Sequence, residues 1–63
     1  MKVYKVTLNY LYHYIECEID AASEKEAREI FLQEVEEEEG KYFRERAELL
    51  GSIQVYELWR IEL

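Results

Sequence analysis

The chain has 63 residues, of which 49% are hydrophobic and 14% aromatic, so it is too apolar for a disordered tail and we expect one small domain over residues 1–63. Its 15 acidic and 8 basic residues give a formal net charge of −7. This surplus argues against direct binding to nucleic acid, because affinity for phosphates comes mainly from Lys and Arg.

The composition also bears on the compartment. The single cysteine, Cys17, cannot form an internal disulfide, which favours a reducing environment. The first ten residues alternate polar and apolar side chains and lack the continuous apolar stretch of a signal peptide. No apolar run approaches the roughly 20 residues that cross a bilayer. We therefore expect a cytoplasmic protein that does not associate with membranes.

Residues 3–10 and 13–21 each alternate polar and apolar residues, which is the period of a β-strand. The parity reverses between the two segments, as it does across a hairpin with an even-numbered loop. A loop centred on Leu11–Tyr12 and a four-residue loop over 10–13 both give one register. That register pairs Leu8 with Ile15, Val6 with Cys17 and Tyr4 with Ile19 on one face, and Lys5 with Glu18 and Thr7 with Glu16 on the other.

A helix is predicted to begin after Ser23, because Ser23 and Glu26 have the spacing of a capping box. Gly40 is a candidate for the residue that ends this helix. A second helical stretch follows over 41–50, then a glycine–serine break and a third strand over 53–61. The predicted buried stripe of the first helix is Ala27, Ile30, Phe31 and Val35. In the second helical stretch, Phe43, Ala47 and Leu50 fall on one face.

Together these elements predict an α+β fold with the order β-β-α-(α)-β, in which a three-stranded antiparallel or mixed sheet has helix packed on one face. We place the third strand beside the first, because the helical connection then allows a right-handed crossover. The predicted core consists of Tyr4, Val6, Leu8, Ile15, Cys17, Ile19, Ala27, Ile30, Phe31, Val35, Val55 and Trp59.

An acidic run, Glu34 and Glu36–Glu39, stands just before Gly40. Residues 23–40 carry two basic and eight acidic residues, so this segment holds −6 of the net charge of −7. A helix C-terminus prefers Lys or Arg. Either the helix continues through Gly40, or it ends there and the run faces a positively charged partner. The run is also explained simply as a solvated face that keeps the protein soluble.

We favour a break near Gly40. A single helix over 24–50 would be about 40 Å long and would overhang an eight-residue strand of about 27 Å. A continuous helix would instead place Glu37 beside Lys41, Lys41 beside Glu45 and Arg44 beside Glu48 at i,i+4 spacing.

The tyrosines suggest a second candidate surface. Tyr12 and Tyr14 cluster at the predicted hairpin tip, and Tyr14, Tyr56 and Leu58 fall on the sheet face away from the helix. One helical layer cannot cover both faces of a sheet, and an exposed aromatic face favours protein association. Isolated surface aromatics are the alternative interpretation.

No motif indicates catalysis. His13 and Cys17 share a strand face, but no second His or Cys completes a metal site or a triad. Glutamates on a helix diverge and do not match the alternating ligands of a calcium loop. We expect no enzyme activity, no cofactor and no metal.

The stretches "YKVTL" and "IECEIDAASEKEAREI" resemble the small DpnD/PcfM-type proteins of phages and mobile elements, over roughly residues 4–31. The resemblance implies two strands, a helix with an alanine–serine–acidic start, and a further strand. It implies a setting in mobile DNA and no catalytic residues. The segment 32–52 is longer than the resemblance leads us to expect.

These observations predict a small acidic protein-interaction module, encoded by a phage or mobile element. It would inhibit a basic, nucleic-acid-handling host defence protein, of anti-CRISPR or anti-restriction type, by occupying its phosphate-binding surface. The expected partner-binding residues are Glu34, Glu36, Glu37, Glu38, Glu39, Tyr12, Tyr14, Tyr56 and Leu58. The alternative is a homodimeric structural or regulatory module without nucleic-acid mimicry; the third strand is a sheet edge that could pair with its copy.

Overall fold

The computed structural model describes residues 1–58. Within these residues the elements are β1 (Lys2–Tyr10), β2 (His13–Ala21), α1 (Glu24–Glu39), α2 (Lys41–Leu50) and β3 (Ser52–Leu58). The strands form one antiparallel sheet in the order β2-β1-β3. The predicted α+β fold is confirmed, with two helices between the second and third strands.

β1 and β2 pair without interruption, from Lys2 opposite Ala21 to Tyr10 opposite His13. Every pair predicted from the alternation is present, and the turn is the two-residue Leu11–Tyr12. Leu11 has a φ of 54°, in the left-handed region that a side chain with a Cβ adopts at a cost. The register of this hairpin is therefore set by the pattern of its strands and not by a favourable turn sequence.

β3 lies beside β1 and runs antiparallel to it, with Val55 opposite Val6 and Ile53 opposite Leu8. β2 and β3 are consequently parallel to each other on either side of β1. The predicted third strand is confirmed as far as Leu58. Its last three positions, 59–61, lie outside the described residues.

The helical segment breaks at Gly40, as predicted. Ser23 caps the start of α1, where its Oγ accepts a hydrogen bond from the Glu26 N–H at 3.2 Å. Gly40 has φ 96° and ψ 162°, a backbone region that is essentially restricted to glycine. The Gly40 N–H still donates to the Glu36 carbonyl, and the Gly40 carbonyl accepts from the Arg44 N–H. α2 thus begins directly after α1 ends, and the alternative of one continuous helix is wrong.

α2 lies at the hairpin end of the sheet. The Phe43 ring meets Tyr10 edge-on, with 5.5 Å between ring centroids, and meets His13 in the same way at 5.0 Å. At the other end of α2, Gly51 packs so closely on the sheet that a Cβ there would lie 3.0 Å from the Leu8 side chain. These contacts hold the end of α2 against β1. The chain therefore leaves α2 at the position where β3 begins to pair with β1.

The core lies between the sheet and the two helices. Most of the predicted core is buried: Tyr4, Val6, Leu8, Ile19, Ala27, Phe31 and Val35. Four predicted members are only partly buried against it, because they lie on edge strands or on the flank of α1: Ile15, Cys17, Ile30 and Val55. Trp59 lies outside the described residues.

The prediction missed three buried hydrophobic residues, Ala21, Leu32 and Ala47. Leu32 is buried because the covered face of α1 is wider than the stripe read from the sequence. Ala47 belonged to a predicted helix face but was not placed in the core. Leu50, expected on that same face, is 59% exposed.

Candidate protein-interaction site

The acidic run occupies a true helix C-terminus. α1 ends at Glu39, and its last turn contains no basic residue. One of the chain's own arginines compensates part of the charge: an Arg44 guanidinium nitrogen lies 3.6 Å from the Glu36 carboxylate, while another hydrogen-bonds Glu48 at 2.8 Å. The Arg44–Glu48 pair, expected for a continuous helix, forms within α2 alone and does not need the helix to continue through Gly40. Glu34 and Glu37–Glu39 remain exposed to solvent.

The start of α2 reduces the electrostatic cost of this arrangement. A helix N-terminus carries a partial positive charge that favours nearby anions. α2 has no acidic residue in its first turn and no side-chain cap, and Glu37–Glu39 directly precede it. The negative end of α1 and the positive end of α2 therefore adjoin at Gly40. The acidic run is less unfavourable here than it would be at an isolated helix end, so its presence does not by itself require a partner.

β2 contributes a second row of carboxylates. The register places Glu16, Glu18 and Asp20 on the side of the sheet away from the helices, which we call the open face. On the helix side, burial raises the pKa of the Cys17 thiol. The nearby charges of Glu34, Glu38 and Glu16 raise this pKa further.

Carboxylates therefore flank β2 from both sides. We call Glu16, Glu18, Asp20, Glu34 and Glu38 the acidic belt. Within residues 1–58, β2 pairs with β1 alone, so the belt borders a free sheet edge. The two rows were not connected by sequence reasoning, because Glu16, Glu18 and Asp20 were interpreted only as the polar face of a strand.

The open face is less apolar than predicted. Tyr14, Tyr56 and Leu58 do lie on it, but Lys5 stands in its centre and ion-pairs with Glu16 at 2.7 Å. The register partner of Lys5 is Glu18, so this ion pair is diagonal where a directly opposite one was expected.

The open-face tyrosines also do not form one continuous patch. Tyr14 is opposite Asn9 and Tyr56 is opposite Lys5, on different edges of the sheet. Their Cα atoms are consequently about 17 Å apart. The Tyr56 hydroxyl is hydrogen-bonded to Gln54. This face is a polar surface with separate aromatic groups.

Exposed apolar side chains concentrate instead at the hairpin end. Tyr12 is fully exposed at the turn, as is most of Leu11. On α2, Tyr42 and Leu49 are 74% and 76% exposed, and Leu50 is also exposed. We call Leu11, Tyr12, Tyr42, Leu49 and Leu50 the hairpin-end group. The sequence contained a signal for the exposure of Tyr42 and Leu49, because residues 42, 46 and 49 share a helix face distinct from Phe43 and Ala47.

The described residues include one open depression and one partly buried thiol. An open depression of ≈ 440 Å³ on the sheet is lined by Lys5, Glu16, Cys17, Glu18 and Leu58. The Cys17 thiol has a raised pKa and is therefore less populated as the nucleophilic thiolate. No three His, Cys, Asp or Glu residues within 1–58 are placed to hold a metal ion. Over the same residues, no helix has the length and apolarity needed to span a bilayer.

Comparison of the chain with protein-family models, with curated protein sequences and with solved structures finds no match. The resemblance to DpnD/PcfM-type proteins therefore stays a prediction. Any functional conclusion depends on the surface itself.

Proposed function

We propose that this protein is an acidic interaction module that binds the basic, nucleic-acid-receiving surface of another protein and blocks that surface. The observation that carries the proposal is the placement of the acidic belt and the acidic run on one domain of net charge −7, with carboxylates contributed by both a strand and a helix. If the resemblance to phage and mobile-element proteins holds, the partner is a host defence nuclease of CRISPR or restriction type.

Electrostatics would act mainly on the encounter. Exposed carboxylates contribute little individually, about 0.2–1 kcal/mol per ion pair, but a complementary surface steers association and orients the partner. Glu34 and Glu37–Glu39 are exposed and are free to approach a partner. Glu36 is partly engaged by Arg44 and would contribute less.

The proposal is tested by competition with DNA. Purified CRISPR and restriction nucleases are mixed with labelled DNA, and displacement of the DNA by this protein is followed by fluorescence anisotropy. We expect displacement that weakens as salt rises, because screening shortens the range of the interaction to about 8 Å at physiological ionic strength. A triple variant with Glu34, Glu37 and Glu38 changed to Gln should compete about tenfold less well, which corresponds to about 1.4 kcal/mol.

The matched control removes three charges elsewhere. Glu24, Glu29 and Glu45 are also exposed, and their change to Gln removes the same number of negative charges. The acidic surface is not the binding site if both triple variants displace DNA as well as the unchanged protein does. The same conclusion follows if both lose the same amount of affinity for the nuclease.

A second candidate function, a homodimeric structural or regulatory module, is favoured by the hairpin-end group. Its five exposed apolar side chains lie on the hairpin turn and on α2. In this alternative the glutamates serve only to keep the protein soluble.

A further inference from the structure

We propose that the free edge of β2 binds an extended basic segment of the partner as a fourth strand of the sheet. This inference rests on the proposed function and specifies how the basic partner is held. Its first support is the edge itself: β2 pairs with β1 over nine residues with no bulge, so its other side presents a regular row of backbone N–H and C=O groups. Such a row is a template for an added strand.

The composition of this edge excludes most occupants. Natural edges are commonly protected by Lys, Pro or a bulge, and β2 contains none of these. Its protection is anionic, through Glu16, Glu18 and Asp20. A second copy of β2 is disfavoured, because antiparallel pairing about Cys17 would set Glu16 directly opposite Glu18 of the copy. A basic strand meets no such repulsion, so the edge discriminates by charge.

The surroundings of the edge specify both faces of the added strand. Side chains of a strand alternate between the two sides of a sheet. Those on the open face would meet Glu18 and Asp20, and also Glu16, which is already paired with Lys5 at 2.7 Å. Those on the helix side would pass the half-buried Ile15 and Cys17 and reach Glu34 and Glu38. Lys and Arg suit the helix side as well, because their aliphatic stems can cover apolar surface while the charge reaches the carboxylates. The preferred ligand is therefore a run of consecutive Lys or Arg residues in extended conformation.

The test uses a capped, fluorescein-labelled heptalysine peptide and the same peptide N-methylated at its five inner residues. Both carry the same charge, but the second cannot donate ladder hydrogen bonds from its five inner residues. We expect the unmethylated peptide to bind at least tenfold more tightly. Its binding should slow hydrogen exchange at every second amide of β2 and should weaken when Glu16 and Glu18 are changed to Gln. The control pair, Glu24→Gln and Glu29→Gln, should retain the affinity.

The peptide experiment tests strand addition alone. Equal affinity of the two peptides, or unchanged exchange in β2, overturns strand addition and leaves the acidic surface as a purely electrostatic site. Failure of both peptides to bind also overturns strand addition. The proposed function is judged independently by the competition with DNA, which does not depend on how the partner's backbone is arranged.

Discussion

The pKa of the Cys17 thiol depends on the charges of the acidic belt, so it can be used to measure their effect in the isolated protein. Burial, followed by the charges of Glu34, Glu38 and Glu16, raises the pKa of its thiol. Folding therefore favours the protonated thiol. The free energy of unfolding should be insensitive to this group below its ordinary pKa of 9.0, and should fall as pH rises above that value.

We predict that changing Glu34 and Glu38 to Gln lowers the pKa of the Cys17 thiol. The thiolate fraction near pH 8 then rises, and alkylation by iodoacetamide, a neutral reagent, should be about two- to threefold faster, as expected for two partly screened charges. The rate is measured across pH by mass spectrometry. The pH at which alkylation reaches half its maximal rate should decrease, while the maximal rate at high pH stays constant.

The same charge removal at Glu24 and Glu29 provides the comparison. These exposed side chains do not contribute to the raised pKa of Cys17, so their change to Gln should leave the alkylation profile nearly unchanged. A shift of equal size in both double variants would mean that net charge, and not proximity of the belt, controls the thiol.

The link between α1 and α2 needs glycine because of its backbone conformation. The link between α2 and β3 needs glycine because there is no room for a side chain. Gly40 has a positive φ, and a Cβ on it would meet nothing within 4 Å. Gly51 has an ordinary φ of −84°, but a Cβ on it would lie 2.6 Å from the Ala47 carbonyl oxygen. The two glycines should therefore respond differently to the chirality of a substituent.

We predict that Gly40→Ala lowers the free energy of unfolding by about 1–3 kcal/mol through backbone strain. Gly51→Ala should lower it by a similar amount through steric overlap. D-alanine, introduced by chemical synthesis, should be tolerated at position 40 because it prefers positive φ, but not at position 51. Urea denaturation followed by circular dichroism measures each change.

Unfolding data would contradict this account in two ways. A D-alanine at position 40 that destabilises as strongly as L-alanine would show that the break does not depend on the conformation of Gly40. Increased helix content in Gly40→Ala without loss of stability would show that α1 and α2 can join into one helix.

Two surfaces of the molecule, the acidic belt and the hairpin-end group, predict opposite responses of binding to salt. Copies of a protein with net charge −7 repel one another, so self-association through the hairpin-end group should strengthen as salt is added. Binding of a basic partner should weaken. The sign of the salt dependence thus separates the two candidate functions.

If the homodimer exists, we predict that Leu49→Lys weakens it at least tenfold and that Tyr56→Lys has little effect. Leu49 is highly exposed on the same helix face as Tyr42, whereas the Tyr56 hydroxyl is already bonded to Gln54 on a charged face. Analytical ultracentrifugation at low and high salt measures the association. A protein that stays monomeric at every salt and protein concentration would eliminate the second candidate.

Local chemistry made the elements predictable. Alternation alone determined the β1–β2 register, since a slip of one residue would turn Val6 and Leu8 away from the core. Ser23 and Gly40 marked the start and the end of α1 because capping and positive φ depend on single residue types. The partial exposure of Ile15 and Cys17 followed instead from the edge position of β2, which no local pattern contains.

The sequence by itself determined the order of the elements, the hairpin register and the concentration of negative charge before Gly40, because these depend on neighbours along the chain. Only the tertiary structure decided that Glu34 and Glu38 of α1 stand with Glu16 beside Cys17, that Arg44 reaches Glu36, and that the exposed apolar groups gather at the hairpin end. These features depend on distances between elements far apart in the chain, and packing of the helices on the sheet sets those distances.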